Sequence, residues 1–133
     1  MPALPLSEVR GVCAAALAPQ TDADPPVLMD LVDSITPPVL MLEWNDPWLS
    51  MESIAGSLGI WTATLNVIAF AGRVEPGAGV AVLEQLVVLV LTRLQADQNS
   101  WPLSSAQAPR RFDMGNVSYL GLRLSFQPQV SIG

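Results

Sequence analysis

Laid out as a helix at about 100° per residue, the segment "GAGVAVLEQLVVLVLTRLQ", residues 77 to 95, puts its apolar side chains in two bands. Val80, Leu83, Val87, Val90, Leu91 and Leu94 form the first. Val82, Leu86 and Leu89 form the second, with Arg93 set among them. Ala81, Glu84, Gln85, Val88, Thr92 and Gln95 remain for a mixed face toward water. A surface helix of a globular domain needs one apolar stripe. The second band therefore asks for a second packing surface.

The same periodicity predicts a shorter helix from about Glu8 to Ala18, with Ser7 as N-cap and Val9, Val12, Cys13, Ala16 and Leu17 on one face. "PQTDADPP" is a proline-bounded polar loop. "VLMDLVDSI", residues 27 to 35, fits an extended edge segment or a short helix equally. "VLMLEW", residues 39 to 44, predicts a strand, ended by the turn signal "NDP". Residues 59 to 74 alternate most clearly: Trp61, Ala63, Leu65, Val67 and Ala69 on one face, Thr62, Thr64 and Asn66 on the other. Near the C-terminus "MGN" predicts a hairpin turn. Its second arm points Leu120, Leu122, Leu124 and Phe126 toward the core of Trp61, Leu65 and Val67, with Tyr119 and Arg123 opposite.

The element order is α-β-β-α-β-β. It predicts an α+β fold with a mainly antiparallel four-stranded sheet and two helices packed on one face. The 133 residues suit one domain, 1–133, with one real core.

Half of the residues are apolar, so a membrane span must be tested. The longest uninterrupted apolar run in the long helix is "LVVLVL", between Glu84 and Arg93, against about 20 residues for a span. The N-terminus lacks a basic region ahead of an apolar one. No membrane association and a cytoplasmic chain are expected.

Chemistry is sparse. There is no histidine, which removes the commonest general base and metal ligand, and a single cysteine, Cys13, which suits a small buried hydrophobe. Asp22, Asp24, Asp30 and Asp33 lack calcium-loop spacing. "EPGAG", residues 75 to 79, lacks the Gly-Lys-Ser/Thr of a phosphate loop. No catalytic, cofactor or metal site is expected. The net charge of −6 opposes a general grip on nucleic acid. Trp48 and Trp101 fall in predicted loops, where they anchor an interface or cover the ends of the core. Arg110 and Arg111 beside Phe112 fit a salt bridge to a neighbouring subunit or to Asp113 better than base stacking.

The ordered set "PPVLMLEWNDPWL", "AGRVEPGAGVAVLEQLVVLVLTRLQ" and "WPLSSAQAPRRFDMGNVSYLGLRLSF" resembles the tail terminators of siphophages with GC-rich actinobacterial hosts, over roughly residues 27 to 131. The resemblance implies a structural ring, commonly of six subunits, that caps the tail tube protein and meets the head-completion or stopper protein. Genomic DNA passes through without specific binding. The chain then belongs to the virion neck, after assembly in the host cytoplasm. A ring subunit has two flanks to bury, so Val82, Leu86, Leu89 and Arg93 become the candidate subunit interface, and Trp48, Trp101, Arg110 and Arg111 the candidate partner interface. A head–tail adaptor or stopper of the same neck is the nearest alternative. A soluble α+β ligand-binding domain is the alternative from another class, with Asn66, Thr64 and Tyr119 as its polar candidates.

Overall fold

The structure is a computed structural model that describes residues 3–29, 35–55, 58–73 and 78–132. In chain order its elements are β1 (Leu4–Pro5), a 3-10 turn (Leu6–Glu8), α1 (Val9–Leu17), β2 (Val27–Leu28), β3 (Val39–Ala55), β4 (Leu58–Arg73), α2 (Ala78–Ala96), β5 (Leu103–Ala106), β6 (Arg110–Met114), β7 (Val117–Phe126) and β8 (Gln129–Ser131). β4 is the central strand. It pairs antiparallel with β3 on one side and with β7 and β8 on the other. The far edge of β7 carries β5 and β6, both antiparallel. β2 joins β3 and β1 joins β8 in parallel.

The expected four-stranded, mainly antiparallel sheet is thus corrected to one eight-stranded sheet with two parallel pairs. β1 and β2 are two residues each, too short to show any periodicity. The "NDP" turn is also corrected, because β3 runs through it to Ala55. Pairing breaks after Trp44 opposite Leu65 and resumes with Leu49 opposite Ala63, a large bulge that keeps Trp44 and Leu49 on one face. The arm before "MGN" is two strands rather than one. Pro128 separates β7 from β8, since a proline cannot donate to the ladder. Ser7 does not cap α1: it lies in the 3-10 turn, and no side-chain bond caps either element. Of residues 27 to 35, β2 supplies an extended start, and positions 30–34 lie outside the described residues.

Both helices cover one face of the sheet. Val9, Cys13 and Leu17 of α1 and Leu83, Leu86, Val90 and Leu94 of α2 bury against Leu40, Leu42, Ala63, Leu65, Val67, Ala69, Leu122, Leu124 and Phe126. Trp61 packs against this core from its margin. Residues Gly79–Ala96 have a mean hydropathy of 1.5 and would suffice, by length and composition alone, to cross a membrane. Here 22% of that stretch is buried: Leu83, Leu86, Val90 and Leu94 pack into the core, while Val80 and Val88 stay exposed. The opposite, helix-free face holds a smaller cluster of Val39, Met41, Ile68, Phe70 and Tyr119, flanked by Leu28, Ile35 and Phe112.

Gly115 takes φ 62° between paired Met114 and Val117. A positive φ at the first central residue alone is the hairpin geometry that favours glycine there. Gly121 serves another need, close approach: a Cβ there would sit 2.7 Å from Ala69 O and 3.1 Å from the rings of Phe70 and Phe112.

Candidate interaction surfaces

The second band of α2 meets α1. Arg93 donates from Nη1 to Ala18 O at 2.8 Å and Leu17 O at 3.2 Å, and from Nη2 to Asp24 Oδ2 at 2.6 Å. The guanidinium thus satisfies carbonyls that the end of α1 leaves without helical partners. Asp24 Oδ2 also accepts from the backbone N–H of Gln20 and Thr21. The Arg93 hydrogen bond, then that of Gln20, lowers the Asp24 pKa from 3.8 to about 2. Leu86 is 5% exposed, and Val82 and Leu89 are half-buried against the same core. The candidate subunit interface is therefore corrected for Leu86 and Arg93, which are spent inside their own chain. The physical reason is that α2 packs on two neighbours at once, the sheet and α1. The predicted water face, Ala81, Glu84, Gln85, Val88, Thr92 and Gln95, is exposed throughout.

Trp101 is likewise corrected. It is 8% exposed and donates from Nε1 to Asp97 Oδ2 at 2.8 Å, tying the exit of α2 to the core. Burial pushes the Asp97 pKa up, but hydrogen bonds from Trp101 and Asn99 outweigh it and the net direction is down. Cys13 is buried beneath α2, and burial, then the charge of Asp97, pushes its thiol up to about 12. It has the chemistry of a small hydrophobe.

On the helix-free face, alternation brings polar groups together. Asn66 Nδ2 donates to Asn45 Oδ1 at 3.1 Å and Glu43 Oε1 at 3.4 Å, and Ser125 Oγ donates to Asn66 Oδ1 at 2.7 Å. Arg123 Nη2 lies 3.1 Å from Glu43 Oε1. Asn66 is 1% exposed and its amide is engaged at both ends. This network ties β3, β4 and β7 in register, and leaves Arg123 Nε buried without a hydrogen-bond partner. Tyr119 donates to Ile35 O at 3.3 Å and is engaged in the same way.

Besides Val80 and Val88 on α2, exposed side chains stand at two opposite edges of the sheet. At the β3 edge, Trp48 is 45% and Met51 47% exposed, and Trp48 tilts onto Trp44 with ring centroids 5.4 Å apart. Beside them a cleft of about 500 Å³ is lined by Leu6, Arg10, Trp44, Trp48 and Ile132, with Arg10 donating to Met29 O at 3.1 Å. At the other edge Arg110 stacks over Phe112 at 4.3 Å, and Arg111 lies 3.4 Å from Asp113. Trp48 and the two arginines, expected in one partner interface, thus sit at different edges with β4 and β7 between them. Glu43 and Asn45 were missed by sequence reasoning, which weighed Asp24 only as a calcium ligand. For Glu43 the signal was its alternation with the apolar Met41 and Leu42 strand faces; for Asp24 no local signal existed, because its partner is 69 residues away. Among the described residues no group of three or more His, Cys, Asp and Glu is placed to hold a metal. No protein-family model matches this chain, and no curated protein matches it.

Proposed function

We propose that this chain is a structural subunit of a phage neck: a tail terminator that closes into a ring on the end of the tail tube, meets the head-completion protein, and lets genomic DNA pass without gripping it. The observation that carries the reading is the β3–β4 hairpin. Among the described residues, Ser53, Ile54 and Ala55 of β3 and Leu58, Gly59 and Ile60 of β4 pair with each other and with no further strand. A two-stranded ribbon is marginal by itself in water, so an arm of this kind gains stability by lying against a neighbour. Exposed Trp48 and Met51 stand along it. The net charge of −6 opposes clinging to the DNA backbone. Of the second band of α2, Leu86 and Arg93 no longer contribute, since the chain's own core and the end of α1 take them.

The test is native mass measurement and negative-stain imaging of the purified protein, alone and with isolated tail tubes. Rings of one size that cap tube ends are expected. A monomer at all concentrations that leaves tubes uncapped overturns the reading. Binding to the head-side connector without capping tubes favours an adaptor or stopper instead. The cleft beside Trp44 and Trp48 favours a second reading, a soluble ligand-binding domain. A small ligand that raises Tm while the protein stays monomeric would select it.

A further inference from the structure

We propose that copies of this chain associate head to tail across opposite edges of the sheet, the β5–β6 edge of one copy seating Arg110 and Arg111 on Trp48 and Asp46 at the β3 edge of the next. This rests on the ring reading and names the contact within it. At a net charge of −6 two copies repel over most of their surfaces, so a contact needs a place where the signs oppose. Among the described residues the exposed arginines are Arg110 and Arg111. Arg93 and Arg123 are bridged to Asp24 and Glu43, and Arg10 is half-buried with Nη1 on Met29 O. Among the arginines whose side chains are described, exposed positive charge thus lies at one edge.

The opposite edge of the same sheet offers what a guanidinium takes. Asp46 and Trp48 are both exposed there, two positions apart in the chain, and supply the carboxylate and the aromatic ring that a guanidinium takes. The internal partners of the two arginines are surface contacts of small worth: the Arg111–Asp113 side chains are 66% and 61% exposed. They exchange at little cost. Among the described residues both edges are open, for β5 and β6 pair with β7 alone, and β2 covers only Leu40 and Met41 of β3. Pro47 and the bulge keep the β3 edge from continuing a regular ladder at Trp48, which leaves side chains to make the contact there. Because the two patches differ and lie on opposite edges, the contact is heterologous. Such contacts give a closed ring or an open filament according to their angle.

The test joins two chains that each carry one added cysteine beside the contact residues. A Ser50→Cys variant is mixed with an Ala108→Cys variant, both positions being exposed, and treated with a short bismaleimide; Cys13, buried with its thiol pushed up to about 12, does not compete. A mixed dimer formed in preference to either self-dimer is expected, and it should disappear when Arg110→Glu and Arg111→Glu are added to the Ala108→Cys chain. Exposed Met51→Cys replaces Ser50→Cys if that chain folds poorly by circular dichroism. Mixed dimer no more abundant than the self-dimers overturns the contact, as does a Ser50→Cys self-dimer that dominates. Rings by imaging without mixed dimers leave the ring reading standing and remove this contact. Mixed dimers with filaments in place of rings do the reverse.

Discussion

Asp24 shows how far one residue's chemistry depends on a distant one. Its pKa, lowered from 3.8 to about 2 mainly by the Arg93 hydrogen bond, makes the bridge a pH-linked element. The folded carboxyl titrates below the unfolded one, so its contribution is complete above the unfolded value and is lost as pH falls through the folded value. The urea midpoint of Asp24→Asn should lie below wild type near neutrality and converge on it between about pH 4 and pH 2. A gap that stays constant across that window would detach the bridge from stability. Gly121 gives a second residue-scale test. A methyl group there must enter the 2.7 Å space against Ala69 O, a backbone atom that cannot swing aside. Gly121→Ala should therefore destabilise by about 1–3 kcal/mol, as overpacking does. An unchanged Tm would mean that β4 and β7 are farther apart than described.

At the scale of elements, α2 is the informative case. Its two bands pack on two parts of one chain, so an exposed and a buried position four residues or fewer apart must behave oppositely. Leu86 is 5% and Val88 64% exposed. Leu86→Asp puts a carboxylate into the core without a partner and should cost more than about 4 kcal/mol, enough to unfold many domains of this size. Val88→Asp should change stability by less than about 0.5 kcal/mol, the usual range for surface positions. Paired denaturant titrations decide it. If Leu86→Asp leaves a folded monomer, the second band is an interface after all and α1 does not cover it as described.

At the scale of the whole molecule, charge governs association. An acidic chain with exposed Arg110 and Arg111 at one edge should associate through a few short-range contacts against a repulsive background. Moderate salt screens the background, since the Debye length is about 10 Å at 0.1 M, and high salt, where it is about 3 Å, weakens the contacts themselves. Sedimentation across a salt series should accordingly show assembly rising and then falling. Assembly that grows steadily to the highest salt would indicate a purely apolar contact and exclude Arg110 and Arg111 from it.

Periodicity alone determined the faces. The alternation of Trp61, Ala63, Leu65, Val67 and Ala69, the leucines of β7, the water face of α2 and the turn at Gly115 all follow from side-chain direction along a local backbone, which neighbouring residues suffice to specify. Charge and the lack of histidine likewise needed no fold. What only the tertiary structure decided is which surface each face meets. The two bands of α2 look the same in sequence whether the second partner is another subunit or α1; in the fold Arg93 bonds to Leu17 O, Ala18 O and Asp24, while Val82 and Leu89 stay half-buried. Eight strands emerged instead of four because β1 and β2 are two-residue pairings that exist only where another strand's edge is waiting, because the arm before the hairpin divides into β5 and β6, and because Pro128 sets β8 apart from β7. Trp48 and Arg110 fell on opposite edges because strand order, unlike strand direction, is set by contacts between residues far apart in the chain.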